Sequence, residues 1–254
     1  MPVAIVTGSD SGIGKATAVR LAQDGFDVGI TYNTDEEGAQ GTAGEVRELG
    51  RRAEVRHLDL GQAETGGQVI GELADALGGL DVLVNNSGSG DPGSWDEITV
   101  DDFRDTIEVN LIGAFSCAQE AAKRMRAAGT PGRIVNVTSV HEHIPNESAA
   151  AYCSSKGGLG LLTQCLALEL AKHGILVNSV GPGEIATPMT GNEDTDPETE
   201  ERPGIPLRRP GHAREMAAVI SFLAGPESTY VTGSSFVADG GLTLMAAIQG
   251  GEAP

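Results

Sequence analysis

The chain has 254 residues and a formal net charge of −19 at neutral pH. That length gives a single α/β domain room for a sizeable core. So negative a balance excludes nucleic-acid backbones and anionic lipid surfaces as partners, because both need clustered Lys and Arg, and no apolar run reaches membrane-spanning length. The opening apolar stretch, Val3–Val6, is too short for a secretory signal core and runs straight into a glycine-rich loop, which predicts a cytoplasmic protein. Cys117, Cys153 and Cys165 are odd in number and lack CxxC spacing, so neither a disulfide framework nor a zinc site is expected.

Short β-branched runs alternate with longer Ala-rich or amphipathic segments along the whole chain. The runs predict strands over Val3–Val6, Val28–Tyr32, Ala53–Leu58, Val82–Val84, Arg133–Val137, Ile175–Val180 and Ser235–Val237. Helices are predicted near Lys15–Gln23, Glu36–Leu49, Thr65–Leu77, Val100–Ala127, Ala151–Lys172 and Ala213–Leu223. Strands that are continuously apolar are buried on both faces. The expected fold is therefore one α/β domain: a doubly wound, Rossmann-type parallel sheet of seven strands with helices on both sides.

The first strand ends in Thr7-Gly8-Ser9-Asp10-Ser11-Gly12-Ile13-Gly14 and a helix follows. Glycines allow a tight turn and close approach of backbone to a pyrophosphate, and the helix start offers free N–H groups. Gly8, Ser11, Gly12, Ile13 and Gly14 are thus candidate nucleotide contacts. The spacing is not that of a P-loop, since Ala16 follows Lys15. At the end of the second strand, where a carboxylate would grip a ribose, stand Tyr32, Asn33 and Thr34. Asn33 is taken as a ribose contact, and the missing acid favours NADP(H) over NAD(H).

Farther along, Asn110 lies inside a helical run although an amide is a mediocre helix former, which points to an internal hydrogen bond. Ser139 ends the fifth strand at its C-terminal edge, where open α/β sheets bind ligands. Tyr152 and Lys156 open the next helix four residues apart and so share a face. A phenol with a pKa near ~10 is a poor proton shuttle at neutral pH, and a neighbouring ammonium is expected to draw it down. Gly191–Pro203 carries Glu193, Asp194, Asp196, Glu198, Glu200 and Glu201 with almost nothing apolar. It reads as a mobile loop, either a solvated insertion or part of a lid spanning about residues 187–210.

Taken together, Thr7–Gly14, Asn85-Asn86-Ser87-Gly88, Asn110, Ser139, Tyr152, Lys156, Pro182-Gly183 and Asp239-Gly240-Gly241 resemble the ordered motifs of the short-chain dehydrogenases/reductases. The resemblance runs from residue 3 to about Gly241, with Ser87 where the family has Ala. It implies an NAD(P)-dependent oxidoreductase. Tyr152 would exchange a proton with the carbonyl or alcohol oxygen, Lys156 would tune Tyr152 and bind the nicotinamide ribose, and Ser139 would polarise the carbonyl. Asn110 would hold a relay water. Asp59 and Leu60 would meet the adenine, Asn86 and Gly88 the ribose side, and Pro182, Gly183, Ile185 and Thr187 the nicotinamide end. It also implies a homotetramer or dimer built on the Ala-rich runs Ala114–Ala128 and Ala151–Leu170.

The substrate is read from two segments. An acidic lid argues for a small neutral carbonyl or alcohol, and against 3-ketoacyl-carrier-protein reduction, for which Arg124 and Arg126 offer only a small basic surface. His141-Glu142-His143 lacks a third ligand at metal spacing, so no metal is expected, and His141 is read as a pocket wall that donates a hydrogen bond to a second substrate oxygen. This turn, with Ser9–Gly12 and Ile185–Met189, resembles a bacterial subgroup linked to diacetyl and acetoin reduction. A catalytically silent nucleotide-binding regulator is the reading from another class; it has no need of Asn110, Ser139, Tyr152 and Lys156 together.

Overall fold

A computed structural model describes residues 1–90, 93–192 and 195–245. The first half is β1 (Val3–Val6), α1 (Gly12–Gln23), β2 (Asp27–Tyr32), α2 (Glu36–Glu48), β3 (Ala53–His57), α3 (Glu64–Leu77) and β4 (Val82–Asn85). Then come α4 (Val100–Ile107), α5 (Ala114–Ala128), β5 (Gly132–Val137), α6 (Ala150–Leu170), β6 (Ile175–Pro182), β7 (Ile185–Ala186), β8 (Gly211–His212), α7 (Ala213–Ala224), β9 (Ser235–Ala238) and α8 (Leu242–Met245). All seven predicted strands form one parallel sheet in the order β3-β2-β1-β4-β5-β6-β9.

The sheet is buried on both faces, as its apolar runs demand. One core cluster joins Leu21, Ile30, Val46, Ile220 and Leu223 under α1, α2 and α7. The other joins Ile5, Ile70, Leu73, Leu83, Met125 and Ile134 under α3 and α5. Fully burying each such side chain contributes about 1.5–3 kcal/mol before entropy is counted. The strand order reverses between β1 and β4, and the crevice beyond their C-terminal ends is where this topology binds ligands.

Two departures from the sequence reading bear on the site. The single helix expected over Val100–Ala127 is broken by a π-helical segment, Glu108–Gly113, between α4 and α5. Asn110 lies within it, its side chain bonded to groups outside the helix. The second departure is the short parallel pair β7–β8, which ties together the two ends of the segment 187–210. Strands of two residues leave no periodicity to read.

Candidate active site

The glycine turn is built by contacts that only glycines allow. Gly8 and Gly12 have φ of +58° and +53°, in the left-handed region. A Cβ on Gly14 would stand 2.0 Å from the carbonyl oxygen of Gly8. Asn86 latches the turn from below, its Nδ2 donating to the Thr7 and Gly8 carbonyls at 3.0 and 2.8 Å. The side chain of Ser11 does not cap α1, so the first N–H groups of that helix are left for a ligand. Together these features fit a dinucleotide pyrophosphate.

A cavity of about 830 Å³ opens beyond the turn, within the range of small-molecule sites. Gly8, Ser11, Gly12, Ile13 and Asn33 line it, as do Asp59, Leu60, Asn86 and Gly88. So do Ser139, His141, Tyr152, Lys156, Pro182, Gly183, Ile185 and Thr187. Two predicted site residues lie outside its wall. Gly14 is beneath the turn, where it serves helix packing instead of ligand contact. Asn110 is fully buried behind it. Leu60 reaches the wall, yet its side chain packs on Gly113 and Gly66 in the core.

At the far end the sequence brings four groups together. Lys156, 4% exposed, donates from Nζ to the Val137 carbonyl at 3.0 Å and sits 5.7 Å from the centre of the Tyr152 ring. Asn110 donates to the Ser89 carbonyl and to Ser155 Oγ, and accepts from Ser89 N–H at 2.8 Å. It thereby clamps the loop after β4 to α6. A Cβ on Gly88 would stand 3.2 Å from Asn110 Oδ1 and 3.3 Å from Lys156 Nζ, so Gly88 is the spacer that lets the amide and the amine converge. Ser139 Oγ accepts from the N–H of His141 at 3.2 Å, which leaves its own proton to donate.

The electrostatics correct one expectation. Burial pushes the Tyr152 phenol up, and the Ser139 hydroxyl pulls only partly back. Burial also brings Lys156 down to about 8. In the protein alone, then, burial outweighs the Ser139 hydrogen bond, and Tyr152 stays a neutral phenol, a proton donor.

The acidic segment also differs from its reading. Glu193 and Asp194 lie outside the described residues. Thr187, Pro188, Met189 and Thr190 line the cavity, but none of the described residues from 195 to 210 does. Three of its carboxylates are paired, Glu200 with Arg202, Glu201 with Arg208 and Glu198 with Arg209, while Arg202 and Arg209 also reach Glu184 and Glu215 outside it. Glu198, Glu200 and Glu201 of the expected negative cover are thus ion-paired, and Glu147 is on the cavity wall itself.

Sequence reasoning missed several members of the site. Asn146, Glu147 and Ser148 line the substrate end, and Ser148 has φ +55°, a strained value for a residue with a side chain. Ser89 and Ser155 hold Asn110, contacts that no spacing announces. His141 and His143 point to different partners, Nδ1 of the first to the Ile144 carbonyl and Nε2 of the second to Ser235 Oγ. Among the described residues no helix is long and apolar enough to cross a membrane.

Comparison with known proteins agrees with this geometry. Residues 8–243 match the family model described as enoyl-(acyl carrier protein) reductase. A solved acetoin dehydrogenase from Enterobacter cloacae is 50% identical, with a TM-score of 0.91 and 96% of each chain covered. The acetoin dehydrogenase YohF from Salmonella typhimurium is 49% identical, with a TM-score of 0.90 and the same coverage. The curated oxidoreductase YohF of Escherichia coli, described as uncharacterized, is 49% identical over 95% of this chain and 96% of its own. The chain belongs to the short-chain dehydrogenase/reductase family and is an NAD(P)-dependent oxidoreductase acting on carbonyl and alcohol groups.

Proposed function

We propose that the chain interconverts a small neutral ketone and its alcohol, of the diacetyl and acetoin type, with Tyr152 as the proton donor. The observation that carries this reading is the Tyr152 phenol beside Ser139, Lys156 and His141 at one end of the cavity, with Glu147 on the wall. A carboxylate or phosphate substrate would meet Glu147 there, whereas a neutral ketone meets two hydroxyls. The names of the relatives from Enterobacter and Salmonella support the same class. A carrier-protein substrate is disfavoured further because Arg124 is already committed to Asp75 and Glu120.

When bound, the nicotinamide cofactor supplies or accepts the hydride. Everything else falls to the side chains. Ser139 donates its hydroxyl proton to the carbonyl oxygen, and Tyr152 transfers its own proton to that oxygen as negative charge develops. Lys156, fixed on the Val137 carbonyl, holds the cofactor ribose and stabilises the phenolate that remains. Asn110 and Lys156 converge at Gly88, where the amide would hold the water through which Lys156 returns a proton to Tyr152.

Cofactor choice rests on Asn33 and Thr34. No acid there repels a 2′-phosphate, but the only Lys or Arg among the described cavity-lining residues is Lys156 at the other end. The NADP preference predicted from sequence is therefore small, with NADPH and NADH within about tenfold in kcat/KM, the equivalent of roughly 1.4 kcal/mol. Assembly is proposed through α5, α6 and the adjoining π-helical segment, which expose Ile112, Phe115, Leu161 and Leu168. A cytoplasmic location follows from the same reading as in the sequence.

The test is a panel of diacetyl, acetoin, unrelated ketones and sugars assayed with each cofactor. Diacetyl or acetoin is expected to exceed unrelated ketones by at least ~10-fold in kcat/KM. Turnover no better than that of unrelated ketones, with either cofactor, would overturn the assignment.

A further inference from the structure

His141 stands at the substrate end of the cavity, two residues past Ser139. Its ring meets that of Tyr152 edge-on, with centres 6.2 Å apart and planes at 75°. A small molecule held by the Tyr152 hydroxyl therefore lies within reach of the imidazole. What the imidazole offers depends on which nitrogen carries the proton. Nδ1 is 3.1 Å from the carbonyl oxygen of Ile144. A carbonyl can only accept, so Nδ1 is the protonated nitrogen in the neutral ring. Nε2 then has a free lone pair. Among the described residues it has no hydrogen-bond partner and is not sealed off from solvent, and His141 lines the cavity.

This polarity differs from a donor. An acceptor beside the reacting carbonyl cannot bond a second ketone oxygen, which itself only accepts, but it does bond a hydroxyl. Two oxygens on neighbouring carbons lie close enough for one to meet Ser139 and Tyr152 while the other meets His141. We infer that His141 is a specificity-determining residue that accepts a hydrogen bond from a hydroxyl on the carbon next to the reacting one. The substrate class is thus α-hydroxyketones in reduction and vicinal diols in oxidation. The inference rests on the proposed function, whose substrate class it narrows. Backbone geometry supports it. The main-chain N–H of His141 bonds Ser139 Oγ, so the residue that polarises the carbonyl and the residue that reads its neighbour are fixed by one turn.

The test compares substrates that differ by one hydroxyl: acetoin against 2-butanone for reduction, and 2,3-butanediol against 2-butanol for oxidation. At pH 8 the native enzyme is expected to favour the hydroxylated member of each pair by ~10-fold or more in kcat/KM. In His141→Leu that ratio should collapse towards one. In His141→Gln, whose side-chain oxygen can accept, part of it should return. Cofactor binding, followed by fluorescence titration, checks that both variants are folded. Diacetyl turned over while acetoin is no better than 2-butanone would overturn the inference and leave the proposed function intact. A His141→Leu ratio equal to the native one would overturn it in the same way. No turnover of any of these compounds would remove the substrate class, and the inference with it.

Discussion

The two ends of the cavity are made of different material. The nucleotide end is made of backbone: Gly8 and Gly12 at positive φ, the bare start of α1, and Asn86 bonding to two carbonyls. The substrate end is made of side chains on short loops: Ser139 and His141 on one turn, and Asn146 to Ser148 on the next. Backbone geometry tolerates no Cβ and so fixes residue identity. Side-chain walls can be exchanged without disturbing the sheet. A cofactor common to a whole family and a substrate particular to one member are served by these two kinds of wall.

Either wall can be broken by a single substitution. Lys156→Met should have the largest effect on turnover, a loss of roughly 10²-fold or more, because it removes the cation that supports the Tyr152 phenolate. The same change should raise stability by about 1–3 kcal/mol at pH 7, since it removes a charge buried at a cost that lowers the Lys156 pKa to about 8. The sign follows from linkage. Below pH 8 the folded chain holds a proton that burial disfavours, so the native penalty is fully present there. It fades as pH rises from about 8 towards the unfolded value of ~10.4. Denaturation midpoints at pH 7 and pH 10 would show the advantage of the variant shrinking, and a constant gap would contradict the burial argument.

At the nucleotide end, Gly14→Ala should cost about 1–3 kcal/mol and weaken dinucleotide binding, because the new Cβ collides with the Gly8 carbonyl. Thermal melting with and without cofactor reads both. Arg209→Gln, beyond the cavity wall, should cost less than about 1 kcal/mol and leave cofactor binding unaltered, since its carboxylate partners are solvent-exposed. Arg209 holds the Glu215 carboxyl down to about 2, so its small contribution is present above the normal Glu range and is lost as pH falls towards that value. A large loss in this variant would mean that the segment 195–210 is coupled to the site after all.

The same division explains what can be read from sequence. All seven strands are legible because buried parallel strands are continuous apolar runs, and Gly8–Gly14 because each glycine answers a local demand. Tyr152 and Lys156 are legible as a helical pair, but not the burial that pushes the phenol up. That burial depends on how deeply the sheet and α6 enclose them. The side chain of Asn110 bonds to Ser89 and Ser155, and the buried chain Asn85–Asn136–Thr163 beneath the site links three separate elements. Arg202, Arg208 and Arg209 stand in or just after the acidic run, but which carboxylates they meet, among them Glu184 from 18 residues back, is set by the fold. Charge counted along a chain says little about charge met in space.

The role of Tyr152 as proton donor stands or falls on single-turnover cofactor oxidation by Tyr152→Phe with diacetyl or acetoin, alongside the dissociation constant for the cofactor. The rate is expected to lie at least ~10²-fold below native with cofactor affinity retained. A rate equal to native would remove Tyr152 from the chemistry.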